Sequence, residues 1–398
     1  MKVLADTRTL VDEGVISSAQ AEEIQRRARD EMVSFVINIV LFSGIIAVIG
    51  GTAAFLDDPR EFCLLGAVVT AGAAVFLLRG PQVLTLLVNA GAVIGSVMFI
   101  GGGMAWIAPD LSDAAALVLP GAVIAGLSLA GWVKGPRGLR FLMGWLAFLG
   151  LCLHLLGLVG AEAPIAPLWL LYYYAAGMLI AAGIVLDVRL LTVLSLIPLA
   201  TALSSQTFYV TATYGVVIRE STLTILQMAV VVAGCLWAGA NLSERYQRHT
   251  RVLGQLSFVW MNIAFWIGSL WGDTVGEGLW RPRRSDVPAD ATDPEAAYRA
   301  MLDAFNANAT KISADAFSLA WAVLLAAAAV WAASRGRRKV FNIAVTFGTI
   351  HLYTQYFERF HASPGTFIIG GLLAIALAWG VWMANRWLKE KQPPGTDG

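Results

Sequence analysis

Charge is scarce in this chain. Asp, Glu, Lys and Arg make up 14% of its 398 residues, where a soluble domain carries about 25%. What charge there is nearly cancels: 28 basic residues face 27 acidic ones for a net of +1. No field of one sign exists to draw in nucleic acid or another polyanion. Cysteine is rarer still. Cys63, Cys152 and Cys235 are scattered through apolar stretches, which argues against a disulfide framework or a metal site and for small packing residues. Phosphate loops, paired-histidine zinc motifs and nucleophile elbows are all missing. The sequence therefore gives no catalytic residue, no metal and no cofactor.

What it has in abundance is apolar length. Hydrophobic residues make up 58% of the chain and the mean hydropathy is +0.68. Apolar runs occur at 33–56, 61–79, 82–108, 112–133, 138–160, 166–187, 189–209, 222–241, 252–272, 314–334, 340–360 and 365–386. Each approaches the ~20 residues that cross ~30 Å of hydrocarbon as a helix. The fold class expected is all-α, a polytopic membrane protein with about 12 spanning helices. The first run is too long for the apolar part of a signal peptide, so it is expected to stay in the membrane.

The seventh run is the weakest, because Pro198 interrupts it and Ser204, Ser205 and Gln206 follow. Charge supports counting it. With it, the clusters at Arg26–Arg29, Lys134–Arg140, Arg245–Arg251, Arg335–Lys339 and Arg386–Lys391 all fall on the side of the N-terminus. Without it, the clusters at Arg245–Arg251 and Arg335–Lys339 change sides, against the tendency of Lys and Arg to stay cytoplasmic. Both termini are thus expected in the cytoplasm. Trp106, Trp132, Trp169 and Trp271 near span ends suit interfacial anchoring.

The layout that follows is a cytoplasmic helical hairpin (1–31), spans one to nine (32–272), an extracytoplasmic loop with a short helix (273–313), spans ten to twelve (314–388) and a disordered cytoplasmic tail (389–398). In the hairpin, Val3–Asp12 reads as a helix ended by Gly14, and Ser17 with Gln20 as a capping box opening a second. In the loop, Asp293-Pro294-Glu295 opens a helix toward Asn306. Its apolar face, Ala297, Met301, Ala304 and Phe305, suits packing onto the membrane domain. No internal repeat is evident. Gly91-x-x-x-Gly95, Gly101–Gly103 and Gly370-x-x-x-Ala374 would allow helices to approach closely. Pro120-Gly121 and Pro198 read as interruptions of the fourth and seventh spans, simple kinks rather than matched broken helices.

The eleventh span is the most polar. Asn342, Thr346, Thr349, Tyr353 and Tyr356 share one stripe; His351, Gln355 and Glu358 lie opposite. Such a helix belongs inside a bundle or beside a wet cavity. His351 sits roughly 16 Å above the cytoplasmic start at 1.5 Å per residue. It could be a titratable gate partnered by Glu358, with His154 and Asn89 as further partners. The alternative is a helix whose polar groups only bond their neighbours. Outside the membrane, Arg281, Arg283 and Arg284 form a basic patch that could meet phosphorylated or lipid-linked sugars, or be neutralised by nearby acids. The cluster Arg335–Lys339 could meet anionic lipid.

The stretch Leu10-Val-Asp-Glu-Gly14-Val-Ile-Ser17-Ser-Ala-Gln20-Ala-Glu-Glu-Ile24 resembles the opening of a bacterial family of uncharacterised multi-pass membrane proteins, a domain of unknown function. That family begins Leu-x-x-Gly-Ile-Ile-Ser-x-x-Gln-Ala-x-x-Ile and passes at once into the membrane. Gly44–Gly51 is similar to its glycine-rich first span, and Asn342–Phe360 to a C-terminal stretch of some members. Thr52–Leu56 departs from the Asn-Trp pair often found there. The resemblance implies a bacterial inner-membrane protein and carries no activity.

Three functions stay open: a non-enzymatic assembly or regulatory protein using its hairpin to bind a cytosolic partner through residues 2–31, a small-solute transporter using the eleventh helix, and a transferase acting on lipid-linked sugars. Beyond the lipid bilayer no partner is specified, and the oligomeric state is open.

Overall fold

The computed structural model describes residues 7–12, 14–80, 84–107, 113–161, 166–203, 205–210, 213–360 and isolated positions between 365 and 386. The first six residues, His361, most of the twelfth run and the tail 389–398 lie outside them. Among the described residues, eight helices are long and apolar enough to cross a membrane. The described chain divides into two compact units, Met1–Ile165 and Ala166–Gly398.

The first unit opens with α1 (Thr7–Asp12) and α2 (Ser18–Phe55). Gly14, at φ +70°, makes the left-handed turn between them. The Ser17 hydroxyl accepts from Gln20 N–H, and Gln20 Oε1 accepts from Ser17 N–H, so the expected capping box is formed. Gln25 Nε2 donates to Thr7 Oγ1 at 2.8 Å, fastening α1 onto α2. α2 then runs on without a break for 38 residues, about 57 Å at 1.5 Å per residue. The hairpin and the first apolar run are therefore one rod.

Next come α3 (Pro59–Arg79), α4 (Thr85–Ile107), α5 (Val118–Lys134) and α6 (Arg140–Gly160). α3 packs on α4 and α5 on α6 through glycines that admit no Cβ. A methyl on Gly95 would meet Thr70 N at 2.7 Å, and one on Gly102 would meet Cys63 N at 2.6 Å. Gly91 and Gly101 face open space, so only half of the expected small-residue pattern is used. Pro120 does not interrupt its span. It lies in the first turn of α5, just past the 3-10 turn Ala114–Leu117, where a missing N–H costs nothing. Between the pairs, Trp145 Nε1 donates to Ser96 Oγ at 2.9 Å, and Leu142 packs on Ala92 and Ala73. Arg60 lies 5.3 Å over Trp106, and Arg140 5.4 Å over Trp132. These cation–π pairs sit at helix ends, where an aromatic belt would be.

The second unit begins with α7 (Leu168–Leu186), ended by Asp187 in the left-handed region at φ 54°. The seventh run is not one helix. It forms α8 (Arg189–Leu194) and α9 (Leu196–Thr201), parted at Ser195, then β1 (Ser205–Val210) and β2 (Thr213–Ile218), paired antiparallel with Ser205 opposite Ile218. Pro198 causes the break, since its ring displaces the carbonyl of Leu194 four residues back and offers it no N–H. Two six-residue helices reach about 9 Å each, too little to span singly.

The unit continues with α10 (Ser221–Asn241), α11 (Glu244–Trp271), α14 (Ala314–Ser334) and α15 (Arg338–Phe360). Asp187 is bonded to Arg248 and His249 near the Glu244 end of α11. Glu220 and Thr222 are bonded to Gly276 and Asp273, just beyond its Trp271 end. Residues 188–219 therefore connect opposite ends of a 28-residue helix. Neither α8 nor α9 is among the eight helices long and apolar enough to cross a membrane.

The connection from α11 to α14 holds α12 (Glu277–Trp280) and α13 (Pro294–Asn308), with its base closed by β3 (Asp273–Thr274) pairing β4 (Lys311–Ile312). α13 starts where the sequence indicates: Asp293 accepts from the N–H groups of Glu295 and Ala296, and Pro294 opens the helix. Ala297, Met301 and Phe305 are half-buried while Ala304 is exposed. Of the twelfth run, residues 367–372 are helical. Phe367 meets Phe357 at 5.2 Å.

Candidate functional site

The core of the second unit centres on Trp321 of α14, which has no exposed surface. Met228 of α10, Phe258, Met261 and Phe265 of α11, Phe317 of α14 and Ala344 of α15 surround it. An indole in an apolar core must place its N–H. Trp321 Nε1 donates to Asn262 Oδ1 at 2.8 Å, and Asn262 Nδ2 donates to the Phe258 carbonyl at 2.7 Å. The ring meets His351 edge-on, centroids 4.8 Å apart.

His351 is thus inside, 7% exposed. Its Nδ1 has no hydrogen-bond partner among the described residues, nor has Gln355 Nε2 one turn on. Their neighbour Thr354 accepts from Trp266 Nε1 at 3.1 Å. The helix expected to be polar on two sides presents them unequally. His351 points into the core, whereas Asn342, Thr346 and Tyr353 of the other stripe are exposed. Glu358 is exposed as well, and no bond joins it to His351 among the described residues. Tyr353 and Tyr356 instead meet Phe357, the first ring tilted at 4.5 Å and the second edge-on at 5.4 Å.

Of the remaining candidates, His154, Arg281 and Arg284 take local partners. His154, in the first unit, shares a 2.8 Å hydrogen bond between Nδ1 and the carbonyl of Val118, fixing α6 to α5. Asn89 is half-buried on α4, its Oδ1 without a partner among the described residues. The basic patch is largely neutralised from within its own loop. Arg281 pairs with Glu277 at 2.5 Å, Arg284 with Glu295 at 2.9 Å, and Arg284 also lies 5.3 Å over Tyr298. The Arg283 backbone N–H donates to Asp286 at 2.7 Å. Its side chain is exposed and without an ion pair among the described residues. Among the described residues no group of His, Cys, Asp and Glu is arranged to hold a metal ion.

Two polar clusters escape a reading of the sequence. In the first, His249 is 1% exposed and bridges Thr192 Oγ1, 2.7 Å from Nδ1, and Asp187 Oδ1, 3.2 Å from Nε2. Arg248 pairs with Asp187 at 2.8 Å, and Arg245 donates to the Val185 carbonyl at 2.5 Å. Three residues on one face of α11 thus hold the end of α7, Arg245 through a backbone carbonyl and Arg248 and His249 through the Asp187 carboxylate. The carboxylate–imidazole–hydroxyl chain has the order of a nucleophilic relay. Its hydroxyl is sealed, however: Thr192 is 1% exposed and packs against Gly183. Its role is to clamp helices. The only sequence signal is Arg245-x-x-Arg248-His249 at helical spacing.

In the second, Glu220 has no exposed surface and accepts from Gly276 N–H at 2.9 Å and from Gly278 N–H. Asp273 returns the contact by accepting from Thr222 N–H at 2.8 Å. Burial pushes the Glu220 carboxyl above its usual range, against the two N–H donors that lower it, with Asp273 and Glu277 adding repulsion. The pair of carboxylates cross-ties the loop to the start of α10.

No family model matches the chain, and no curated protein or solved structure matches it.

Proposed function

We propose that the chain is a multi-pass protein of the bacterial cytoplasmic membrane, of the uncharacterised family its opening resembles, and that it is a non-enzymatic assembly or regulatory protein acting through its cytoplasmic hairpin. Both ends lie in the cytoplasm and the chain crosses twelve times, the seventh by way of α8, α9 and the β-hairpin. The observation that carries the reading is α2, one helix from the capping box at Ser17 to Phe55 with α1 fastened to it. A partner that tilts or pulls the hairpin moves the first span with it, because no joint lies between them. Val15 and Ile24 are exposed on the hairpin, at 64% and 43%, and offer an apolar contact.

Photo-crosslinking amino acids at Val15 and Ile24 of the full chain in its native membrane test this. A discrete cytosolic partner should be captured, and captured less when Gln25→Ala loosens α1. No adduct from either position would sink the reading.

A second reading, proton-linked transport of a small solute, is favoured by the unpartnered polar atoms of His351 and Gln355 inside the second unit. Proton-coupled solute uptake by proteoliposomes, lost in His351→Ala, separates it from the first.

A further inference from the structure

Two stretches of the first unit, 58–109 and 113–164, match at a constant spacing of 55 residues (58 to 113). Asp58 recurs as Asp113, Gly66-Ala-Val68 as Gly121-Ala-Val123, Gly80-Pro81 as Gly135-Pro136, and Ala92-x-x-Gly95 as Ala147-x-x-Gly150. In membrane helices drawn from a few apolar letters, such identities alone would be weak. The packing makes them strong, because the glycine contacts and helix caps of the first stretch recur in the second with both partners moved by the same spacing.

Asp58 caps α3 by accepting from the N–H two residues on, at 2.8 Å, and Asp113 does the same for the next helical run, at 3.0 Å. A methyl on Gly66 would strike the backbone of Phe99 and Gly95, and one on Gly121 that of His154 and Gly150. Gly95 rests on Thr70 and Gly150 on Ala125. Gly102 rests on Cys63 and Pro59, and Gly157 on Val118 and Ala114. α3 ends at Gly80 with φ −82° and α5 at Gly135 with φ −81°, each bonded to the carbonyl four residues back.

We infer that α3 to α6 of the first unit are two copies of one helical hairpin, each a pair of antiparallel helices locked at a glycine notch. With two helices per copy, both run in the same direction. This places Asp58 and Asp113 at one face, and Arg79 and Lys134 at the other, independently of any charge rule. The copies keep their interiors alike and differ where they meet. Ser96 and Trp145, bonded to each other across α4 and α6, have Leu151 and Ala90 as counterparts. Gly138, which fits against the Leu77 carbonyl, has Val83. His154 stands where the first copy has Phe99, so the histidine is a feature of one copy rather than of the shared module.

An exchange within the full chain tests the duplication. Residues 58–109 are replaced by a second copy of 113–164, carrying Ser in place of Leu151 so that Trp145 keeps its partner. A control makes the same exchange one residue out of frame, which turns each notch by about 100°. The in-frame chain should be monodisperse in detergent and keep its cooperative thermal transition, and the shifted chain should lose it. If the two exchanges behave alike, whether both fold or both fail, the inference is overturned. In the native background, Gly66→Leu and Gly121→Leu should lower the transition temperature by matched amounts, as should Gly95→Leu and Gly150→Leu. Unmatched losses in both pairs would also overturn it.

Discussion

Trp321 shows what a single side chain contributes where lipid surrounds a protein. Helices in hydrocarbon gain little from leaving lipid, so their association rests on packing and on hydrogen bonds between them. Trp321 supplies both, through the ring against Phe347 and His351 and the N–H on Asn262. Trp321→Ala should cost about 3–5 kcal/mol through the cavity and lost transfer energy. Trp321→Phe keeps most of the packing but leaves Asn262 Oδ1 unpaired, a loss of about 1–3 kcal/mol. Unfolding of the detergent-solubilised protein should rank them in that order, and a neutral Trp321→Ala would remove Trp321 from the centre of the core.

Glu220 gives a second prediction at this scale. Its carboxyl lies above its ordinary value in the folded chain, so folding favours the protonated form. Its contribution is fully present below the ordinary carboxylate pKa and is lost as pH rises through the raised one. Transition temperatures should therefore fall as pH climbs from about 4.5 toward neutral, and Glu220→Gln should flatten that part of the profile. An unchanged profile would mean that another group titrates there. His351 could be singled out from sequence because a histidine stands out in an apolar span. Trp321, Asn262 and Glu220 could not, because each acquires its meaning from a partner more than 50 residues away.

Among the elements, those legible in sequence were set by local rules. The capping box at Ser17, the Asp293-Pro294 start of α13 and the apolar lengths of α3 to α7 depend on neighbours within a few residues. The forms of 189–218 and of the duplicated hairpin were not legible. The first depends on how Pro198 breaks a helix already too short to span; the second is masked by an alphabet in which Gly, Ala, Leu and Val recur anyway.

α11 carries a prediction of its own, because its two ends are held by separate clusters. His249→Ala removes the link between Asp187 and Thr192 at one end. Glu220→Ala removes the two loop bonds at the other. In hydrogen exchange, the first should speed amides of 187–195 and spare 272–281, and the second should do the reverse. If either substitution loosened both segments equally, α11 would not be a rigid spacer between independent clamps.

For the molecule as a whole, the direction of each crossing is the property on which every functional reading turns. Asp187 is tied to one end of α11, and Glu220 and Thr222 are tied to the loop beyond the other. In the proposed topology the intervening chain crosses, however irregular its path. That proposed topology puts Arg189, Arg245, Arg248 and Arg251 on the side of the hairpin, and Arg281, Arg283 and Arg284 opposite. Alkaline phosphatase, active only outside the cytoplasm, should be inactive when fused after Asp187 or Arg251 and active after Arg219 or Asp290. A fluorescent protein that matures only in the cytoplasm should report the converse. The fusions after Asp187 and Arg219 decide the matter. If both report one side, residues 188–219 form a re-entrant segment, the later helices reverse, and the hairpin no longer shares a compartment with the arginines of α11.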